Sequence, residues 1–211
     1  YEISECLVGS EMCIRDRCYI GTKWDYMGEK TVIVTRQHPQ GHFTMGVYLV
    51  DIYCKGLLHS EYFFNMNHDD YEMMVKRIDM DEDLKKAAYA DAHKLVYGAI
   101  DFAEAVGIDS EDSFDITKYI LDEKKEEIPF AEFGRNGKHY LRADTDEEAE
   151  LYIPIIMEAI GTDFTYSIEG VTDGEVDAAE VPFGDFDFSE LNYDEEEFDK
   201  MFEKLNRESQ D

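Results

Sequence analysis

The stretch that most constrains this chain is His42 to Cys54, the longest run of apolar, β-branched and aromatic residues in the sequence. Alternation along an extended backbone puts Phe43, Met45, Val47, Leu49 and Tyr53 on one face, and Tyr48, Val50, Ile52 and Cys54 on the other. Two apolar faces predict a central strand that is covered on both sides. Asp51 is the one charge in the run, which makes it the first candidate for a site.

The neighbours of this strand follow from turn chemistry and β-branching. Lys30 to Thr35 reads as a strand, and Pro39 and Gly41 mark a turn, so the two segments predict an antiparallel hairpin. Lys55 and Gly56 end the central strand, and Leu57 to Met66 reads as a third strand or extended edge. Asp69 and Asp70 open a short helix, Tyr71 to Ile78. Leu84 to Val106 reads as one long helix, with Asp79, Asp81, Glu82 and Asp83 at its start and Gly107 as its C-terminal cap. Its alanine-rich face predicts close approach to the sheet. His93 and Tyr97 fall on its polar face.

Asp112 or Ser113 caps a further helix, Phe114 to Glu127, that must stop before Pro129. Asn136 and Gly137 predict a tight hairpin between strands starting at Phe130 and ending at Arg142. Thr145 and Glu148 have the spacing of a capping box for a helix that contains Pro154 and ends at Gly161. Asp163 to Ile168 reads as the last strand. This order predicts an α+β fold, a mainly antiparallel sheet with packed helices, followed by an acidic C-terminal tail.

The formal charge of −30 over 211 residues weighs against binding a phosphate backbone or an anionic membrane. It fits a solvated or salt-adapted surface, a basic protein partner or bound cations. No run is long and apolar enough to span a membrane. Residues 171–211 hold fifteen acids and three bases, and Phe198, Met201, Phe202 and Leu205 give a short amphipathic helix there. Such a tail can dock on its own domain or engage a basic protein partner. Of the four cysteines, Cys6 and Cys13 lie in an unusual N-terminal segment, and Cys18 and Cys54 form no CxxC pair, which favours a reducing, cytoplasmic setting.

That N-terminal segment, Tyr1 to Arg17, resembles a transposase adaptor from a sequencing library translated in one frame, most closely from Cys6 to Arg17. The resemblance implies a non-native segment 1–17 outside the fold and a missing native start. The remaining organisation is one domain over 18–170 and the acidic tail over 171–211.

There is no P-loop, GxGxxG, GxSxG or HExxH. His38 and His42 flank the hairpin turn and could converge on a cation with Asp51 or His59. Asp51 could instead face solvent near a strand end or be a structural partner of Arg36 across the hairpin; the pairing is favoured, because an unpaired buried carboxylate is costly and the hairpin brings the two strands together. No cofactor is expected beyond the cation of the first reading.

Arg36, His38, Pro39 and Gly41, then Tyr48 to Asp51 with Tyr53, Cys54 and Gly56, then Tyr97 to Ile100 with Phe102 to Glu104, resemble an uncharacterised bacterial family of Bacteroidetes type over residues 18–145. The resemblance implies a cytoplasmic bacterial protein and no activity. Two functions remain: a non-enzymatic protein-binding module, which the absence of a catalytic motif favours, or a metal-dependent hydrolase or nuclease-like enzyme centred on Asp51, His38 and His42.

Overall fold

The computed structural model describes residues 14–124, 133–170, 172 and 174–179. The fold is α+β. A five-stranded antiparallel sheet runs in the order β4-β3-β2-β1-β5, built from β1 (Ile14–Gly21), β2 (Glu29–Gln37), β3 (Phe43–Asp51), β4 (Gly56–Met66) and β5 (Leu84–Ala87). A three-stranded sheet has the order β6-β7-β8, from β6 (His139–Ala143), β7 (Phe164–Ile168) and β8 (Val176–Asp177). The helices are α1 (His68–Glu82), α2 (Tyr89–Glu104), the single turn α3 (Phe114–Thr117) and α4 (Asp146–Ile160). Among the described residues, no helix is long and apolar enough to cross a membrane.

The central strand is covered on both faces, as its two apolar faces require. On one side Phe43 and Met45 join Ile33 and Tyr71, with Met74, Val75 and Ile78 of α1 packed against them. On the other side Tyr48 and Val50 join Val32, Val34 and Cys18 beneath Ala92, Val96 and Ala99 of α2. The small residues of α2 let it lie against the start of β4. Gly56 has φ 73°, and a Cβ there would fall 2.6 Å from the Ala103 Cβ and 3.1 Å from the Ala99 carbonyl. Gly56→Ala therefore combines left-handed strain with overpacking, and should destabilise the fold by about 2–5 kcal/mol in denaturant unfolding. An unchanged midpoint would show that α2 has room to move away.

Several elements differ from the sequence expectation. The helix does not begin at Leu84. Residues 84–87 form β5 beside β1, and the acids at 79–83 close α1 instead of opening α2. Asp83 takes a left-handed cap (φ 50°), and the Asp79 carboxylate accepts the Leu84 amide at 2.8 Å. The helix placed over Phe114 to Glu127 is one α-turn, and residues 125–132 lie outside the described residues. Asn136 and Gly137 do make a tight turn with positive φ, closed by an Arg135–Lys138 bridge. β6 then pairs in parallel with β7, because α4 carries the chain back across between them. Thr145 Oγ1 accepts the Glu148 amide at 3.1 Å, as the capping box requires.

Both domain boundaries move outward. The segment set aside as non-native contributes its last residues to β1, where Ile14 pairs with Gln37 and Arg17 with Thr35. Arg17 Nη1 donates to Glu72 at 2.8 Å, and the guanidinium lies 5.4 Å from the ring centroids of Phe43 and Tyr71. Strand pairing uses backbone groups that almost any sequence supplies, and an arginine finds aromatic faces readily. At the other end, β8 pairs with β7 beyond residue 170, Ala178 is fully buried, and the compact unit ends at Ala179. The amphipathic segment at Phe198 to Leu205 lies outside the described residues.

Candidate functional site

The β2–β3 ladder decides the fate of the sequence candidates. Arg36 stands opposite Thr44, and Asp51 stands opposite Glu29. At about 3.4 Å per residue, the seven steps from Thr44 to Asp51 span roughly 24 Å. The expected Arg36–Asp51 pair is therefore absent, and Asp51 does not meet His38 or His42. Among the described residues, no three His, Cys, Asp or Glu side chains come together in a way that could hold a metal ion.

Asp51 is structural through other partners. Its Oδ1 accepts the Tyr53 amide at 2.7 Å and its Oδ2 accepts the Lys55 amide at 2.9 Å. The carboxylate thus closes the β3–β4 turn, a use of aspartate that competes with ladder pairing only where the strand ends. Burial pushes its pKa up, against the two backbone hydrogen bonds and the Lys55 charge that favour the ionised form. The adjacent Cys54 thiol is also pushed up by burial, with the Asp51 charge a smaller cause in the same direction.

Lys55, which the sequence reading passed over, is itself buried, and its Nζ pairs with Glu148 Oε1 at 2.8 Å. Burial alone would lower the Lys55 pKa. The charge and hydrogen bond of Glu148, with the Asp51 charge behind them, outweigh it and leave the pKa raised. Glu148 Oε2 accepts the Asp144 amide at 2.7 Å. Arg142 reaches Glu29 at 3.0 Å across the same join. This network ties the β3–β4 turn to α4.

The two hairpin histidines face different partners. His38 is buried, and its Nε2 lies 2.7 Å from Thr44 Oγ1. Burial lowers its pKa, with His42 a smaller cause in the same direction. His42 Nδ1 lies 3.3 Å from the Asn65 carbonyl. Arg36 is fully buried. Its Nε donates to the Ile120 carbonyl at 2.6 Å, and Nη2 lies 3.6 Å from Asp122 Oδ1. His93 and Tyr97 are not on an open face. His93 Nε2 lies 3.1 Å from the Asp122 carbonyl, and the Tyr97 ring lies 4.7 Å from the His93 ring. His59 lies 3.2 Å from Glu111.

β4 carries exposed aromatic side chains at the edge of the five-stranded sheet. Among the described residues this strand pairs on one side only, with β3. Tyr62 and Phe64 are each 41% exposed on it, Ile116 is exposed in the α3 turn packed beside it, and Tyr119 is exposed just after that turn. Ser60 fixes that neighbour: its Oγ lies 2.8 Å from Thr117 Oγ1 and 2.7 Å from Ser113 Oγ. Glu111 completes the join, accepting the Ser113 hydroxyl at 2.6 Å and the Ser60 amide at 3.2 Å. Phe64 also meets the buried His38 edge-on at 6.0 Å. The strand and the turn beside it thus expose three aromatic rings and one isoleucine, with the carboxylate of Glu111 at the Ser60 end. Compared with protein-family models, characterised proteins and solved structures, the chain matches none.

Proposed function

We propose that this protein is a non-enzymatic protein-binding module whose contact surface is the β4 edge with its flanking turn. The observation that carries the reading is the exposure of Tyr62 and Phe64 on the β4 edge, and of Ile116 and Tyr119 in and just after the turn that packs against that strand. Isolated exposed apolar residues are ordinary, whereas grouped ones mark interaction sites. Tyrosine and phenylalanine are also suited to such surfaces, because a rigid ring brings contact area at low entropic cost. The net charge of −30 favours a basic partner. The acidic residues from 171 onward extend that preference in composition.

Peptides selected from a random display library against the full chain test the reading. Binders should lose at least tenfold in affinity against the double variant Tyr62→Ala/Phe64→Ala, as for paired anchors near the centre of an interface. The change Tyr26→Ala, at an exposed tyrosine on the 3-10 turn Asp25–Met27, should leave them within about twofold. Binders indifferent to the double variant, measured by calorimetry, would move the contact surface elsewhere and defeat the proposal.

A further inference from the structure

The Ser60 amide donates to Glu111 and therefore points away from β3. Residues two apart in a strand direct their backbone groups to the same side, so the Tyr62 amide and carbonyl also face outward. We propose that the partner binds by adding a strand beside Tyr62, and that this strand is a short segment of alternating apolar and basic residues. The inference rests on the binding-module reading and specifies its mode and its ligand.

Among the described residues, the unpaired stretch of this edge is bounded at both ends. Glu111 closes one end at Ser60, and Asn65, with φ 57° at a register shift against β3, closes the other. Only a short strand fits between them. Backbone hydrogen bonds to Tyr62 would supply affinity, and alternate side chains would supply selectivity. On the α3 side an apolar side chain of the incoming strand meets Tyr62, Phe64 and Ile116. At the Ser60 end a lysine or arginine meets Glu111, which Ser113 and His59 hold in place. The same charge disfavours a second copy of this chain as occupant, since the edge would bring two strongly acidic surfaces together.

The probe is a capped octapeptide of alternating lysine and valine, added to the full chain. Two controls accompany it: the alternating glutamate and valine peptide, and the lysine–valine peptide N-methylated at every amide. The lysine–valine peptide should slow hydrogen exchange at the Tyr62 amide at least tenfold. It should bind at least tenfold more tightly than either control. Tyr62→Pro should weaken it more than fivefold beyond Tyr62→Ala, because proline removes the outward amide as well as the ring, and an edge strand tolerates proline at such a position. Three results overturn the proposal: absence of binding at millimolar peptide, equal binding of the N-methylated peptide, or binding without protection at Tyr62. If display-selected binders depend on Tyr62 and Phe64 while the Tyr62 amide stays unprotected, strand addition fails and the binding surface stands.

Discussion

Asp51→Ala should lower stability by about 2–4 kcal/mol, because it strips the acceptor from two amides at once in a site closed to water. Tyr53 and Lys55 would both lose their bond at the point where β3 turns into β4. A midpoint fall on the order of 10 °C follows for a domain of this size. Asp51→Asn keeps one carbonyl acceptor and should cost less than alanine. The pH dependence separates the two contributions of the carboxyl. Its folded pKa is raised, so its contribution is full below the ordinary aspartate value and is lost as pH rises through the folded pKa. The wild type should therefore gain on Asp51→Asn as pH falls from 7 toward 4. Denaturant melts at the two pH values check this, and a gap that narrows in acid would contradict the raised pKa. A catalytic or metal-binding carboxylate would behave otherwise, since its removal commonly leaves stability intact.

The central strand was legible because burial on both faces demands apolar residues at every position, and β3 is the longest such run. The two layers that cover it could then be expected before either was located. The boundary of α2 was not legible. Leu84 fits the helical period, yet it packs on the α1 side of the sheet as part of β5. Lys85 and Lys86 are exposed on that edge strand, a usual defence against further pairing. The acids at 79–83 misled because acids belong at helix starts. Here they end α1, where Asp79 offers its carboxylate to a free amide, a local bond that offsets an unfavourable dipole.

The site candidates divide along similar lines. With the turn at Pro39 to Gly41, antiparallel register already places Arg36 near Thr44 and Asp51 near Glu29. Their separation could have been counted from the sequence. Lys55 also carried a signal, as a cation between Cys54 and Gly56-Leu57-Leu58, but its partner Glu148 lies far along the chain and no spacing rule reaches it. The exposure of Tyr62 and Phe64 had no sequence signal. Both belong to an apolar run, and only the three-dimensional placement of cover over β4 decides which of its rings meet solvent.

The Lys55–Glu148 pair should give the largest loss from a single truncation. Glu148→Ala leaves the ammonium of Lys55 buried with only the more distant Asp51 charge to offset it, and removes the acceptor of the Asp144 amide. Breaking one side of such a pair costs about 3–5 kcal/mol. Lys55→Met should cost far less, because it removes the buried charge together with the need for a partner, and Glu148 keeps its bond to Asp144. The asymmetry is the expected signature of burial; an exposed pair would lose about 1 kcal/mol or less from either side. Alkaline titration adds a second reading. The Lys55 pKa is raised in the folded state, so its stabilisation is present below the ordinary lysine value and lost as pH climbs through the folded value. In Glu148→Ala the desolvation of Lys55 is no longer outweighed, its pKa falls, and the variant should recover part of its deficit as pH rises above neutrality. Equal losses from Glu148→Ala and Lys55→Met, with parallel pH profiles, would show that the join between the β3–β4 turn and α4 is held by packing alone.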